Sequence, residues 1–114
     1  MLFRSHATST PQGDIIEANA IKNFFGKNVP IISATKSLSG HSLGAAGAHE
    51  AIFSLIMMEN NFICKSANID TLDPNFEDIP IALERKENKE INVVMSNAFG
   101  FGGTNACLVF QKVN

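Results

Sequence analysis

Charge is scarce in this sequence. Nine Lys and Arg and eleven Asp and Glu make up 18% of its 114 residues, against roughly 25% in a typical soluble domain. So thin a charge cover predicts that part of the surface lies against something else. The net charge is −2 and the basic residues are scattered, so no electrostatic footprint for nucleic acid or an acidic membrane exists, and both drop out as partners. Cysteine is scarce too. Cys64 and Cys107 lie far apart in apolar neighbourhoods, with no C-x-x-C pair and no secretory leader, which predicts two reduced, buried thiols and no disulfide. No apolar run approaches the ~18 residues that span a bilayer, and "MLFRSHATST" has no leader-type apolar region. Repeats and low-complexity tracts are absent. These absences predict a soluble cytoplasmic protein, and the length suits one hydrophobic core, hence one domain over residues 1–114.

What is present reads as strand, helix, strand, helix, strand, strand. After a short apolar start, "MLF", the polar run "RSHATSTPQG" leads to Asp14 and Glu17, an Asp-x-x-Glu form of the capping box. Ile16, Ala20, Ile21, Phe24 and Phe25 recur at helical spacing, predicting a helix from about Asp14 to Phe25 with Gly26 as its stop. "IIS", opened by Pro30, reads as a buried strand, and the polar segment "ATKSLSG" separates it from a second helix over about Gly44 to Glu59. Ala48, Ala51, Ile52, Leu55 and Ile56 mark that helix's expected buried face. "NFICKSANID" holds a short extended piece, "TLDPNFEDIP" is a loop, and "ERKENKE" is a solvated turn. "INVVMSNAF" and "NACLVFQ" read as strands buried on both faces. The order predicts a layered α/β fold with a mixed sheet.

Three motifs carry candidate chemistry. Gly40, Ser42 and Gly44 spell G-x-S-x-G, the nucleophile elbow of a serine hydrolase. That elbow needs the strand to run straight into it, whereas the strand here ends near Ser33, and no histidine follows Asp70, Asp73 or Asp78 to complete a triad. Ser42 is therefore the weakest of the candidates. "GFGGTN" lacks the third glycine of a dinucleotide fingerprint and opens a strand, and no Gly-Lys-Ser/Thr occurs. It is either a loop whose N–H groups serve a small ligand, walled by Phe99 and Phe101, or a tight hairpin with aromatic plugs. His6, His41 and His49, with the cysteines, show no metal-ligand spacing, so no metal is expected. His6 and His41 stand in polar turns beside small residues, where functional side chains belong; His49 lies within a helix and reads as structural. By spacing alone Lys36 is an ordinary solvated lysine, with Glu50 on the next helix.

Order and identity together change that weighting. "SHATSTPQGD" resembles the first histidine motif, His-Gly-Thr-x-Thr-Pro-x-Gly-Asp, of the β-ketoacyl-acyl carrier protein synthases, condensing enzymes of the thiolase-like fold. "ATKSLSGHSLGAAGAHEA" resembles their second, with lysine, histidine and glutamate in matching places, and "SNAFGFGGTNACLVF" resembles their closing loop and strand. "GHSLGAAG" and "SANID" lean toward the type I elongating enzymes. Ala7 departs from the family's glycine.

The resemblance implies a thiolase-like C-terminal half-fold, a mixed sheet with helices packed on it, active in fatty-acid elongation. It implies His6 and His41 as donors to the enolate formed when malonyl-carrier protein loses carbon dioxide, with Lys36 orienting them and Glu50 as its partner. Thr8 and Thr10 would bind the phosphopantetheine arm. The Phe101 N–H would serve the acyl oxyanion hole, its ring gating the acyl pocket beside Phe99. No resident cofactor is implied, since the phosphopantetheine belongs to acyl carrier protein. The implied partners are acyl carrier protein, malonyl and acyl thioesters, and either a second copy or the N-terminal half of a synthase. Neither Cys64 nor Cys107 matches the family's nucleophile, so the nucleophile-bearing half is expected to be absent and standalone condensation is not expected. Two rivals stand beside this reading: a non-catalytic remnant that associates with a full-length synthase, and a small serine hydrolase using Ser42.

Overall fold

The computed structural model describes residues 1–113. Its strands are β1 (Leu2–Arg4), β2 (Ile31–Ser33), β3 (Val93–Phe99) and β4 (Asn105–Gln111). Its helices are α1 (Pro11–Phe25), the single turn α2 (Lys36–Ser39) and α3 (Ala46–Asn60). The sheet order is β2-β1-β3-β4. β1 is parallel to both β2 and β3, and β4 closes antiparallel on β3 through the "GFGG" turn, so the sheet is mixed, as expected.

The period of two in β1 divides the core. Leu2 joins Met57, Met58, Ile63, Ile91 and Val94 on the α3 side, while Phe3 joins Ala18, Ile21, Ile32 and Ile79 on the α1 side. Alternate residues of a strand face opposite ways, so Arg4 points to the α3 side with Leu2. A helix lies on each face, giving three layers.

Several expectations fail at helix ends and faces. α1 begins at Pro11, not Asp14, because Thr10 is its N-cap: the Thr10 Oγ1 accepts from the Gly13 N–H at 3.2 Å, and Pro11 at the first helical position has no N–H to satisfy. A Cβ on Gly13 would stand 2.3 Å from that oxygen, so glycine there keeps the cap in place. The capping box of Asp14 and Glu17 does not form, since Glu17 is drawn to the loop after β1. Thr10→Val should cost about 1 kcal/mol of stability through loss of the cap, read as a thermal midpoint lower by roughly 4 °C. An unchanged midpoint would show that the cap contributes nothing.

The second helix buries the other side. α3 starts at Ala46 after a 3-10 turn over Leu43–Ala45, and its buried residues are Ala46, Glu50, Ser54, Met57 and Met58. Ile52, Leu55 and Ile56, expected inside, are exposed. α3 is apolar around most of its circumference, so periodicity does not choose a face. The choice falls to partners: Met57 and Met58 reach Leu2 and Val94, and the buried Ser54 hydroxyl donates to the Glu50 carbonyl at 2.7 Å.

β4 also departs from expectation. It is the sheet's edge, and of its residues only Phe110 is partly buried, so burial on both faces fails. The thiols follow: Cys107, on β4, is exposed and Cys64 is half-buried. "ATKSLSG" is not wholly irregular, since it carries α2. The extended piece in "NFICKSANID" is one bridge, Ile63 to Lys86, and the 84–90 run is exposed as expected. Among the described residues no helix is long and apolar enough to cross a membrane.

Candidate active site

The carboxyl ends of the parallel strands converge on one place. His6 lies just beyond β1, Lys36 just beyond β2, and Phe99 ends β3. Ligands of α/β sheets bind outside these ends, where connections diverge to the two sides of a central strand; β1 is such a strand here.

The His6 loop is held in an uncommon shape. Ala7 has φ 28° and Ser9 has φ 63°, both in the left-handed region that costs a non-glycine residue roughly 1–2 kcal/mol. Glu17, from α1, compensates: one carboxylate oxygen accepts from the His6 N–H at 2.8 Å and the other from the Ala7 N–H at 3.0 Å. Burial pushes the Glu17 carboxyl above the usual range, and these two hydrogen bonds pull it back. Burial likewise raises the Asp14 carboxyl. Glu17→Gln keeps the shape but turns a donor toward one of the N–H groups. It should cost about 1–2 kcal/mol and speed amide exchange at His6 and Ala7; full protection of both amides in the variant would show that the loop is held by something else.

His6 is set as a neutral donor. The Phe99 N–H donates to the His6 Nδ1 at 3.3 Å, so the neutral ring carries its proton on Nε2. Desolvation lowers the His6 pKa, and the Lys36 and His41 charges lower it further against the opposing Glu50. The His41 ring stands perpendicular to it, centroids 5.8 Å apart, and the Phe99 ring meets it edge-on at 5.3 Å. The two histidines and Phe99 thus form one cluster.

Lys36 is not a solvated lysine. It donates to the His6 carbonyl and pairs with Glu50, their side chains only 7% and 4% exposed. Burial of a cation and an anion requires such pairing; spacing alone did not show it, whereas the family resemblance implied Glu50 as the partner of Lys36. Thr8 is half-buried on the His6 loop, while the Thr10 hydroxyl already accepts the α1 cap and keeps its own proton to donate. Phe101 tips the β3–β4 turn and is fully exposed, so it is not a plug; the turn closes through the Gly100 N–H donating to the Thr104 carbonyl at 2.7 Å.

Ser42 and His49 do meet. The Ser42 hydroxyl lies 2.9 Å from the His49 Nδ1, a contact not foreseen for a helical histidine. The Ser42 backbone, φ −82° and ψ 19°, has none of the elbow's strain, and among the described residues no carboxylate is hydrogen-bonded to His49. No group of three metal-ligating side chains occurs among the described residues. A cavity of about 560 Å³ lies between α1 and the 66–81 loop, lined by Ser9, Asp14, Ile21, Ser66 and Phe76 among others. It borders the His6 loop but contains neither histidine.

Two buried charges escaped the sequence reading. Glu17 shares the inner stripe of α1 with Ala18 and Ile21, and Arg4 ends a strand covered on both sides. A charge on an apolar face was the available signal in each case.

Comparison with known proteins agrees with this architecture. The family model described as Beta-ketoacyl synthase, C-terminal domain, matches residues 2–70. The 3-oxoacyl-[acyl-carrier-protein] synthase 1 of Haemophilus influenzae is 60% identical over 109 residues, covering 96% of this chain and 27% of that protein. The chain therefore spans about a quarter of the length of such curated relatives. A β-ketoacyl synthase from Burkholderia phymatum superposes with a TM-score of 0.90 at 36% identity, over 99% of this chain and 28% of the other. A type II polyketide ketosynthase solved in complex with its acyl-carrier protein gives a TM-score of 0.90 at 30% identity, over 98% of this chain and 28% of that one. With the family model covering more than half of its residues, and ketosynthase structures sharing its layered fold, the chain belongs to the β-ketoacyl synthase C-terminal domain family.

Proposed function

We propose that this chain is the C-terminal portion of a 3-oxoacyl-[acyl-carrier-protein] synthase and supplies the two-histidine part of its active site. The observation that carries the reading is His6, an imidazole whose Nδ1 accepts from the Phe99 N–H and whose Nε2–H has no partner among the described residues, clustered with His41 at the strand ends. Two imidazole N–H donors suit a thioester oxygen that gains negative charge. When the malonyl group of malonyl-acyl carrier protein loses carbon dioxide, the electron pair of the breaking C–C bond moves into an enolate whose oxygen accepts from His6 and His41. The enolate carbon then attacks the acyl thioester, and the cysteine thiolate leaves. That cysteine comes from sequence outside this chain, because Cys64 and Cys107 lie outside the histidine cluster. Thr8 and Thr10 offer hydroxyls to the phosphopantetheine arm, and the Phe101 N–H serves the acyl oxygen with its ring gating the acyl pocket. The phosphopantetheine arrives on acyl carrier protein, so no resident cofactor takes part, and the reaction is cytoplasmic.

A second reading has its own support. Leu43, Ile52, Leu55 and Ile56 on and before α3, with Leu108 and Val109 on β4, are exposed apolar side chains. Such surface suits a module that associates with the rest of a synthase or with a second copy without acting itself. The two readings separate when malonyl-carrier protein decarboxylation and acyl condensation are assayed with the chain alone and with the cysteine-bearing half added in trans. Condensation only in the combined sample, lost with His6→Ala, is the expected result. Condensation by the chain alone would overturn the assignment of the nucleophile, and none in either sample would favour the inactive module.

A further inference from the structure

The cavity between α1 and the 66–81 loop takes no part in the function proposed above. Its volume, about 560 Å³, is that of a small-molecule site, and its walls are tied together at two places. The Lys22 ammonium of α1 pairs with Asp78 of the loop. At α2, the Ser37 hydroxyl accepts from the Ala67 N–H at 3.1 Å, and the Ser37 carbonyl accepts from the Asn68 side-chain amide at 3.2 Å.

Two buried hydroxyls line this space with hydrogen-bonding capacity to spare. Ser5 continues β1, its N–H donating to the Ser33 carbonyl at 3.2 Å, and the alternation of a strand turns it to the α1 side with Phe3. It is only 6% exposed, and its hydroxyl makes no hydrogen bond among the described residues, although it lines the cavity. A buried hydroxyl in that position calls for a partner supplied from the cavity. Ser66 is equally buried; its hydroxyl accepts from the Ala34 N–H at 3.0 Å and keeps its own proton to donate.

The walls set the charge of the occupant. Ile21, Ile32, Phe76 and Ile79 are apolar, while the ionisable lining residues, Asp14, Glu17, Asp70 and Asp73, are all acidic. Glu17 is spent on the His6 and Ala7 N–H groups, and one Asp73 oxygen on Asn75. Asp14 of α1 and Asp70 of the loop thus bring a carboxylate to each wall. A cation beside Asp14 would offset the burial that raises its carboxyl. Among the described residues no three metal-ligating side chains group together, so a bare metal ion finds too few donors. An organic cation brings an apolar body for the walls.

We propose that this cavity binds a small organic amine with a hydroxyl at its far end: the ammonium is held by the Asp14 and Asp70 carboxylates, the apolar body lies on Ile21, Ile32 and Phe76, and the hydroxyl meets Ser5 and Ser66. The occupant touches the back of the His6 loop at Ser5, Ala7 and Ser9 without reaching either imidazole. Its binding is independent of the proposed condensing function.

Amide NMR of the intact chain, titrated with tyramine, phenethylamine and 4-ethylphenol, tests each part. Tyramine should saturate with a dissociation constant on the order of 1 mM, moving the Ala7, Ser66 and Asn68 amides and not those of the exposed Glu84, Glu87 and Glu90. 4-Ethylphenol, which lacks the ammonium, should bind at least about fivefold more weakly, and phenethylamine, which lacks the hydroxyl, about threefold more weakly. Asp70→Asn, in an exposed part of the loop, should weaken tyramine about threefold and leave 4-ethylphenol within about twofold. Ser5→Ala should bring tyramine down to the affinity of phenethylamine. The proposal is overturned by the absence of a saturable shift at the cavity, by shifts spread evenly over exposed carboxylates, or by 4-ethylphenol binding as tightly as tyramine. If Ser5→Ala does not fold, Asp70→Asn decides: weakened tyramine binding supports the site and undiminished binding refutes it.

Discussion

His6→Ala is expected to lower malonyl decarboxylation by about 10²–10³-fold, the usual effect of removing one donor from a developing oxyanion. The loss should fall on kcat, because the oxygen gains its charge only as carbon dioxide departs. His41→Ala should fall in the same range, and the double variant should lose less than the product, since both donors serve one oxygen. Undiminished decarboxylation in His6→Ala would remove His6 from the reaction. The pH dependence has a definite sign. The His6 pKa is lowered in the fold from an ordinary value of about 6.5, so the neutral, Nε2-protonated ring persists to lower pH than for a free histidine. Below about 6.5 the unfolded chain takes up this proton before the folded one does. Stability contributed by His6 is therefore undiminished above that value and falls as pH drops toward the lowered folded pKa. Chemical denaturation between pH 7.5 and 5.5, as an order-of-magnitude window around the histidine range, should show stability declining on the acid side, and less so in His6→Ala.

Lys36→Met carries the largest expected loss of stability. It strips the cation from Glu50, whose carboxylate is almost wholly buried. Breaking a buried pair by removing one partner costs about 3–5 kcal/mol, because an uncompensated charge remains inside. For a chain of this size that lowers the thermal midpoint by roughly 15 °C. The double variant Lys36→Met/Glu50→Gln leaves Arg4 opposed by Glu17 and should recover at least half of the loss, since removal of both members of a buried pair is often neutral. A single variant as stable as wild type would show that Glu50 is not held as an ion. Decarboxylation in Lys36→Met should also fall, as the His6 carbonyl loses the ammonium that fixes it.

The local sequence specified elements well and surfaces poorly. β2 at "IIS" and the end of α1 before Gly26 stand where turn chemistry and apolar period place them. The start of α1 was misread because Asp14 and Glu17 match a capping box as a pattern, while Thr10 has the geometry to cap and Glu17 has two loop N–H groups to satisfy. By spacing alone Lys36 read as solvated, because its partners, His6 and Glu50, are distant in the chain; only the family resemblance paired it with Glu50. The Ser42–His49 contact was likewise unseen, and it makes a hydrogen bond without the strained backbone that a nucleophile elbow needs.

By itself the sequence determined the α/β order, the mixed sheet and the histidine motifs whose wording resembles a condensing enzyme, since these depend on residue identity, turn chemistry and short-range period. Only the tertiary structure decided which side of α3 is buried, that β4 is an open edge, and that Lys36, Glu50, Glu17 and Arg4 are interior charges. A helix apolar on several sides and a strand apolar along its length are each compatible with more than one partner. Buried charges are tolerated only where opposite charges or hydrogen-bond acceptors meet them in space. Those meetings join residues far apart in the chain, and apart from the Lys36–Glu50 pair implied by the resemblance of the second motif no local pattern encodes them.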